Sequence, residues 1–524
     1  MNPKAYIAFL FAFWLLVASA YAQTAAEYFS KGCEALDRND LYAAIADFSR
    51  AIELEPNYTQ AFSSRGVAKF HERDLDGAIS DETRAIELTP DFYEAFEARG
   101  FVKYVKGDLD GAIADSNEAI EFKPDDYKAF DCRSLAKRGK GDLDGAIADD
   151  TRAIELKPDY YAAFNSRGTA KLYKGDLDGA ISDFDKVIEL NPENNLALYS
   201  RGIAKEKKGD LDGAIADFNC VIELKPDEPG AFYSRSIAKR KKGDLDGAIA
   251  DLNSAIERKP DFYLAFENRG FARQKKGDLD GAIADFNRAI ELKPDFYQAF
   301  DSRGVAKRAK GDMDGAMADY NRAIQLKPDY SPAFDNRGNL KRDEGDLAGA
   351  IADYNKAIDL NPKNAHAYHC LGCLHYDAHE FAGALTDFRK AVAVDNSGES
   401  ADYASFRILL VRARLGEQDA AAKELRTYLN HRTTGKPDDW PSNIGRFLGG
   451  QLAESDFLKA AENADGKKQG EQQCEAYFYA GSERLIAGDK TAAADYFKKC
   501  VATNKATFFE YHSAVAELKF LAAK

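Results

Sequence analysis

Residues 263–296, YLAFENRGFARQKKGDLDGAIADFNRAIELKPDF, are one copy of a 34-residue unit that recurs along most of this chain of 524 residues. Its proline recurs every 34 residues, at Pro56, Pro90, Pro124, Pro158, Pro192, Pro226, Pro260, Pro294, Pro328 and Pro362. A fixed period of this length is typical of proteins built from stacked units, each packed against its neighbours. The spacing therefore predicts a solenoid.

Each unit is predicted to form two helices. Apolar and small residues fall at helical spacing in two runs, one before and one after Lys276-Gly277-Asp278. That tripeptide combines a basic last turn, a glycine that can adopt positive φ, and an aspartate that can cap the next helix. Pro294 cannot continue the second helix. The resulting hairpin has one apolar side, which only a neighbouring hairpin can bury.

The copies share a signature when Tyr263 is numbered as position 1. It consists of an aromatic residue at 4, Gly at 8, Ala at 20, an aromatic residue at 24, Ala at 27 and Pro at 32. This pattern resembles the tetratricopeptide repeat (TPR) family over residues 25–398. The resemblance implies an all-α, right-handed superhelical α-solenoid of stacked helix-turn-helix repeats. It also implies a scaffold that binds protein or peptide partners on its concave face, with no cofactor.

The chain divides into five predicted segments. Residues 1–22 are predicted to be a signal peptide, since Lys4 precedes an apolar run that ends before Ala20-Tyr21-Ala22. Eleven tandem repeats follow in 23–398 and a degenerate repeat in 399–435. An irregular helical connector is predicted in 436–473, and a last repeat with a capping helix in 474–524.

The composition limits the possible location of the chain and the classes of partner that it could bind. The apolar run near the N-terminus is shorter than the ~20 residues that span a bilayer, so we expect no stable membrane anchor. We expect a chain of bacterial type that is exported after signal cleavage and is periplasmic or secreted. The formal net charge is −15, which argues against nucleic acid and anionic membranes as partners.

Residues 440–521, which begin WPSNIGRFLGG, resemble the C-terminal part of a bacterial envelope lipoprotein, new lipoprotein I. That protein is a TPR adaptor that presents substrates to a tail-specific protease. Its family carries a lipidated cysteine at the mature start, whereas the first cysteine here is Cys33. The resemblance therefore does not extend to anchoring in the outer membrane.

The motifs of common enzymes are absent, and we expect no enzyme. There is no Gly-x-Ser-x-Gly, no His-Glu-x-x-His and no phosphate-cradling glycine loop. The recurrent Gly-Asp-Leu-Asp-Gly, first at Gly107, could suggest calcium. However, Ile and Ala follow where an EF-hand needs oxygen ligands, and helix capping explains both aspartates.

Arginine at position 7 and aspartate at position 23 occur together in nine consecutive repeats, from Arg65 and Asp81 to Arg337 and Asp353. We interpret the pairs as a structural ladder in which each guanidinium reaches a carboxylate on a second helix. That carboxylate could belong to the same hairpin or to an adjacent one. The alternative is a ligand site with nine rungs.

Histidine and cysteine are concentrated in residues 366–379, which hold four of the seven histidines and two of the seven cysteines. On a helix, His366, either His369 or Cys370, and Cys373 would share one face at a spacing that a metal can use. Cys370 and Cys373 could instead form a redox pair. We interpret the segment as structural and keep a metal- or redox-handling protein as the alternative function.

The partner-binding surface follows from the resemblance, which implies that positions 2, 5, 9, 12 and 13 line the groove. These positions are apolar in the early repeats, at Phe70, Phe101, Tyr104, Leu135, Leu172 and Tyr173. They become basic in later repeats, at Lys207, Arg240, Lys241, Lys275, Arg308 and Arg342. The first set could receive apolar side chains and the second would favour an acidic segment. The alternative is that the basic residues only complement helix C-termini.

Position 24 is unusual in repeats 2 to 4, where it holds Glu82, Ser116 and Asp150 in place of Phe, Tyr or Leu. A polar group at a contact between helices weakens that contact unless it is hydrogen-bonded. We therefore expect the N-terminal third of the stack to open more readily than the middle.

Overall fold

The computed structural model describes residues 24–396, 398–432, 439–462 and 466–523, in which helices are joined by turns without any strand. The helices are α1 (Ala25–Asp37), α2 (Leu41–Leu54), α3 (Thr59–His71), α4 (Leu75–Leu88), α5 (Tyr93–Lys106), α6 (Leu109–Phe122), α7 (Tyr127–Gly139), α8 (Leu143–Leu156), α9 (Tyr161–Lys174), α10 (Leu177–Leu190), α11 (Asn195–Lys208), α12 (Leu211–Leu224), α13 (Pro229–Lys242), α14 (Leu245–Arg258), α15 (Tyr263–Lys276), α16 (Leu279–Leu292), α17 (Tyr297–Lys310), α18 (Met313–Leu326), α19 (Ser331–Asp343), α20 (Leu347–Leu360), α21 (Ala365–Asp377), α22 (Phe381–Val394), α23 (Glu399–Arg414), α24 (Gln418–His431), α25 (Trp440–Leu448), α26 (Glu454–Glu462), α27 (Gly466–Ile486), α28 (Lys490–Ala502) and α29 (Phe509–Ala522).

The chain divides into two compact units, Met1–Arg258 with α1 to α14 and Lys259–Lys524 with α15 to α29. In each unit the helices pair into consecutive hairpins, and α1 to α22 form eleven of these hairpins. The predicted all-α stack of helix-turn-helix units is confirmed. The predicted signal peptide lies outside the described residues. None of the described helices is both long and apolar enough to cross a membrane.

The turn inside each hairpin uses the predicted capping chemistry. Gly107 ends α5 with φ of 89°, and the Asp108 carboxylate accepts a hydrogen bond from the Gly111 amide at 2.9 Å. A Cβ atom on Gly111 would overlap that carboxylate, which explains the second glycine of the motif. The other aspartate, Asp110, forms an ion pair with Lys140 of the next repeat. Capping by Asp108 and the ion pair of Asp110 therefore account for the two aspartates.

A hairpin closes where an aromatic ring at position 24 packs against the glycine at position 8. Phe184 on α10 is fully buried, and its ring lies 2.9 Å from the point where a Cβ atom on Gly168 would stand. We call this position the aromatic seat. Because the glycine at position 8 has no side chain, the ring can occupy the space beside it and the two helices approach closely.

The arginine–aspartate ladder lies inside each hairpin and extends to the preceding one. Arg201 donates to both carboxylate oxygens of Asp217, at 2.9 and 2.6 Å, and its third nitrogen donates to Asp185 of the preceding repeat at 2.5 Å. Lys205 also contacts Asp217, at 2.9 Å. These contacts confirm the structural interpretation, and they show that the paired carboxylate belongs to the same hairpin.

The end of the second unit departs from the predicted boundaries. Helix α27 is 21 residues long and crosses the boundary predicted between residues 473 and 474. The segment predicted as an irregular helical connector contains the short helices α25 and α26 and the start of α27. Helices α27 and α28 form the last hairpin.

Candidate partner-binding site

In the first unit the first helices of neighbouring hairpins contact each other, as α3 does with α5 and α5 with α7. Phe70 on α3 and Phe101 on α5 meet edge to face with ring centroids 5.6 Å apart. Tyr104 follows on α5, 6.2 Å from Phe101. We call these three residues the aromatic cluster. Since Phe101 is 39% exposed, the cluster is accessible to a partner.

A pocket of about 290 Å³ lies beside this cluster, between α3 and α5. Its carbon walls come from Val67, Ala98, Val102 and the two phenylalanine rings, and two carboxyl groups line it as well, those of Glu82 and Glu97. We call it the acid pocket. A mostly apolar cavity with a few polar groups is typical of a binding site.

Glu82 occupies the aromatic seat of the second repeat. Its side chain is buried, and its carboxyl oxygens have no hydrogen-bond partner, although the Ser63 hydroxyl lies nearby. Burial raises the pKa of Glu82 from 4.5 to about 9. An unpaired acid in this position costs folding free energy, because the buried carboxyl group has lost its contact with water.

Glu97 is the second acid of the pocket and lies on α5. Burial, and then the nearby Asp126 carboxylate, raise the pKa of Glu97. Lys128 on α7 opposes this effect through an ion pair 3.4 Å long. The acid pocket therefore contains one unpaired carboxyl group and one that is paired with a half-exposed lysine.

The next two repeats also hold a polar residue in the aromatic seat. Ser116 and Asp150 are fully buried, and neither side chain has a hydrogen-bond partner. Burial, together with the Asp131 carboxylate, raises the pKa of Asp150 well above its ordinary value. Three consecutive repeats thus lack an aromatic ring like that of Phe184, which packs against Gly168 in the fifth repeat.

The remaining predicted residues of the first unit occupy varied positions. Leu135 and Leu172 are half-buried, while Tyr173 is 73% exposed. Lys207 and Lys241 are exposed and Arg240 is half-buried. Lys241 forms an ion pair with Glu206.

In the second unit only one of the three predicted basic residues is exposed. Lys275 is exposed, whereas Arg308 pairs with Asp343 through its guanidinium. Arg342 is buried, with its guanidinium 4.0 Å from the centroid of the Phe509 ring and 3.1 Å from the Thr507 carbonyl oxygen. The C-terminal segment covers Arg342, so this residue cannot line an open groove.

The covering segment is held by buried polar contacts. Arg407, fully buried, donates to Glu510 and Ser513 of α29 at 3.0 Å each. Tyr376 on α21 donates to Glu517 at 3.0 Å. Helix α29 packs on α27 and α28 as the predicted cap would, and it also lies against α21 of the eleventh repeat. The spacing of residues in the sequence gave no indication that α29 would contact α21.

The histidine- and cysteine-rich helix α21 separates its predicted metal ligands. His369 and Cys373 are buried next to each other, with 3.5 Å between Nε2 and Sγ, and burial holds the pKa of His369 well below its ordinary value. His366 instead faces Asp335 on α19, and Cys370 lies beside it. Among the residues that the structure describes, His366, His369 and Cys373 do not form a converging set of donors. All the described cysteines have free thiols.

Profiles of a known repeat family match this chain. The profile named Tetratricopeptide repeat matches residues 29–91, 165–229, 233–295, 268–331 and 371–439, and the profile named TPR repeat matches 338–378. These matches cover more than half of the sequence. The chain belongs to the tetratricopeptide repeat family, a class of protein-interaction scaffolds.

Solved structures with low sequence identity match as well. A tetratricopeptide repeat protein from Parabacteroides merdae is 21% identical over 48% of this chain and 98% of its own, with a TM-score of 0.40. Yeast Tom70 is 17% identical over 78% of this chain and 100% of its own, with a TM-score of 0.43. YrrB, described as a TPR protein with an unusual peptide-binding site, is 23% identical over 35% of this chain and 95% of its own, with a TM-score of 0.30.

Proposed function

We propose that this chain is a non-enzymatic scaffold that binds protein or peptide partners on the surface formed by its first helices. In the first unit, the acid pocket and the aromatic cluster anchor the partner. The observation that supports this proposal is Glu82, a buried acid without a hydrogen-bond partner in a seat that most repeats fill with a ring. Proteins retain such unfavourable groups chiefly where they serve function.

The chemistry of the acid pocket favours a basic side chain with an aliphatic stem, such as lysine. The methylene groups would pack against Phe70 and Phe101, whose ring faces also attract a cation. The ammonium group would approach Glu82 and favour its ionised form. A partner lysine would thus satisfy the carboxyl group that the fold leaves unpaired.

A second contact in the first unit would favour an acidic stretch of the partner. Lys207 and Lys241 are exposed on the last turns of α11 and α13, and Arg240 is half-buried beside Lys241. Complementary charge of this kind raises association rates and excludes wrong partners more than it raises affinity. We therefore assign recognition to the acid pocket and orientation to the basic residues.

Export is part of the proposal and rests on residues 1–22, whose basic start, apolar run and small residues suit a signal peptide. Cell fractionation followed by N-terminal sequencing tests this part separately. We expect a mature chain that begins near Gln23 and is found outside the cytoplasm. A cytoplasmic chain that retains Met1 or Asn2 would contradict export without affecting the binding proposal.

A selection from a random peptide library tests the binding proposal. The full mature chain is immobilised, and peptides retained by the wild type are compared with those retained by Glu82→Phe. We expect the wild type to enrich peptides with a basic residue flanked by apolar residues, and we expect Glu82→Phe to lose that enrichment. Equal enrichment by both proteins would contradict the assignment of the pocket.

A further inference from the structure

Three donor side chains of different types meet between the tenth and eleventh repeats. Asp335 lies on α19, and His366 and Cys370 lie one turn apart on α21. One carboxylate oxygen, one ring nitrogen and the Sγ atom all lie within 4.8 Å of one another. This set differs from the predicted one because Asp335 comes from a neighbouring hairpin, which spacing along a single helix does not reveal.

The distances within this cluster match those between ligands around one small cation. His366 Nδ1 lies 3.0 Å from Asp335 Oδ2, and the two ring nitrogens lie 3.7 and 3.6 Å from Cys370 Sγ. Around a tetrahedral zinc ion with ordinary bond lengths, nitrogen and sulfur ligands are about 3.6 Å apart, and nitrogen and oxygen ligands about 3.3 Å. Small side-chain rotations would therefore close the three donors around a metal.

Access and charge also suit a metal ion. His366 is 46% exposed, so an ion can enter and a water molecule can complete the coordination, whereas Cys370 is fully buried. Asn364 donates to Asp335 at 3.3 Å and so orients the carboxylate, as outer contacts of metal ligands commonly do. A carboxylate and a thiolate would neutralise a divalent cation.

The chain contains a natural comparison at the same repeat positions. Glu97, Lys128 and Cys132 occupy these positions in the third and fourth repeats, where Lys128 and Glu97 form an ordinary ion pair. A lysine ammonium has no lone pair to offer a metal, whereas a neutral imidazole does. Histidine at residue 366 is therefore the change that turns a contact between repeats into a set of metal donors.

We propose that Asp335, His366 and Cys370 form a binding site for a divalent metal ion of the zinc class. The mixed oxygen, nitrogen and sulfur donors suit borderline ions such as Zn²⁺ better than Mg²⁺ or Ca²⁺, which prefer oxygen alone. With three protein ligands and water, the site is open on one side. The site belongs to the second unit and the acid pocket to the first, so the metal proposal is tested independently of partner binding at the acid pocket.

Titration of the full mature chain with Co²⁺, with its thiols kept reduced, tests this site. Cobalt replaces zinc in such sites and produces a near-ultraviolet charge-transfer band only when a thiolate is bound. We expect one Co²⁺ per chain, a charge-transfer band, and loss of that band when Zn²⁺ is added. Absence of the band in the wild type would overturn the proposal.

Matched variants identify the ligands. Cys370→Ser should abolish the charge-transfer band, while Cys373→Ser, a change to a buried cysteine on the same helix away from Asp335, should leave it unchanged. His366→Gln changes an exposed side chain and should not disturb folding, yet it should weaken Co²⁺ binding by about tenfold or more. A band that persists in Cys370→Ser, or unchanged affinity in His366→Gln, would contradict the assignment.

Discussion

The carboxyl group of Glu82 lies against Gly66, with one oxygen 2.8 Å from the point where a Cβ atom of that glycine would stand. The same relationship is made by Phe184 with Gly168 three repeats later, where the closing group is a ring. Repeat 2 thus keeps the close approach of its two helices but lines it with an acid. This replacement leaves an unpaired carboxyl group in a pocket lined by the half-buried Phe70 and the exposed Phe101.

Glu82→Phe should stabilise the first unit because the substitution restores the ring that other repeats use and removes a buried acid. We expect a gain of about 1–3 kcal/mol in the free energy of unfolding, measured by urea denaturation. The reverse change, Phe184→Glu, provides the control and should destabilise the unit. A loss of stability in Glu82→Phe would show that the carboxyl group is a structural requirement.

The pH dependence of stability should identify Glu82 as a buried acid. Its pKa in the folded chain, about 9, exceeds its ordinary value of 4.5, so the folded chain holds this proton more tightly than the unfolded chain does. Tighter proton binding by Glu82 therefore stabilises the folded chain fully below pH 4.5. This contribution to the free energy of unfolding is lost as the pH rises towards 9, by about 1.4 kcal/mol per pH unit.

Thermal unfolding between pH 5 and pH 8 measures this effect. Glu82→Gln should unfold with a flatter dependence on pH than the wild type. Glu118→Gln, which changes an exposed acid on α6, should keep the slope of the wild type. Parallel slopes for the wild type and Glu82→Gln would mean that Glu82 titrates in the folded chain as it does in water.

Arg201→Met should destabilise the first unit by about 2 kcal/mol, because it removes two hydrogen bonds to the buried Asp217 carboxylate. Lys205 remains in contact with that carboxylate and limits the loss. Arg152→Met breaks only the exposed pair with Glu155, so it serves as the control and should cost no more than about 1 kcal/mol. Equal losses in urea denaturation would remove the distinction between the ladder and ordinary surface pairs.

Arg407→Met should loosen α29, since it leaves the buried Glu510 carboxylate without its cation. Breaking one partner of a buried pair costs about 3–5 kcal/mol. We expect limited proteolysis to cleave the segment around α29 earlier than in the wild type. Arg389→Met, at an exposed pair with Glu424, should leave the cleavage pattern unchanged; early cleavage in that variant alone would argue against the role given to Arg407.

The helices of repeats 2 to 4 should exchange amide hydrogens sooner than those of repeats 8 and 9. The early repeats hold the polar side chains of Glu82, Ser116 and Asp150 in the aromatic seat, whereas the rings of Phe286 and Tyr320 fill it in the later repeats. Local opening is easier where fewer apolar contacts must be broken. Native-state hydrogen exchange measures this directly, and equal protection in the two regions would refute the expectation.

The repeat itself made most of the fold predictable from sequence. Proline at position 32, glycine before the capping aspartate, and alanine at position 20 act locally or between adjacent hairpins, so their periodicity alone indicates the hairpin and its stacking. The capping roles of Asp108 and of its equivalents followed from the same local chemistry. The ladder was predictable because arginine and aspartate recur in step.

The parts that sequence did not predict depend on contacts between distant segments. Arg342 is covered by Thr507 and Phe509, residues that no repeat period relates to it. Asp335 joins His366 and Cys370 across two hairpins, which spacing along α21 could not reveal. Glu82 could be recognised as anomalous from its position, but its place in a pocket with Phe70 and Phe101 required the structure.

The most direct test of the partner-binding surface is hydrogen exchange of the mature chain with and without a peptide obtained by library selection. The account predicts protection on the first helices α3 and α5, which carry Phe70 and Phe101, and little change on the second helices α4 and α6. Glu82→Phe should lose this protection, while Tyr42→Ser, at an exposed position on α2, should retain it. Protection confined to α4 and α6, or unchanged by Glu82→Phe, would contradict the account.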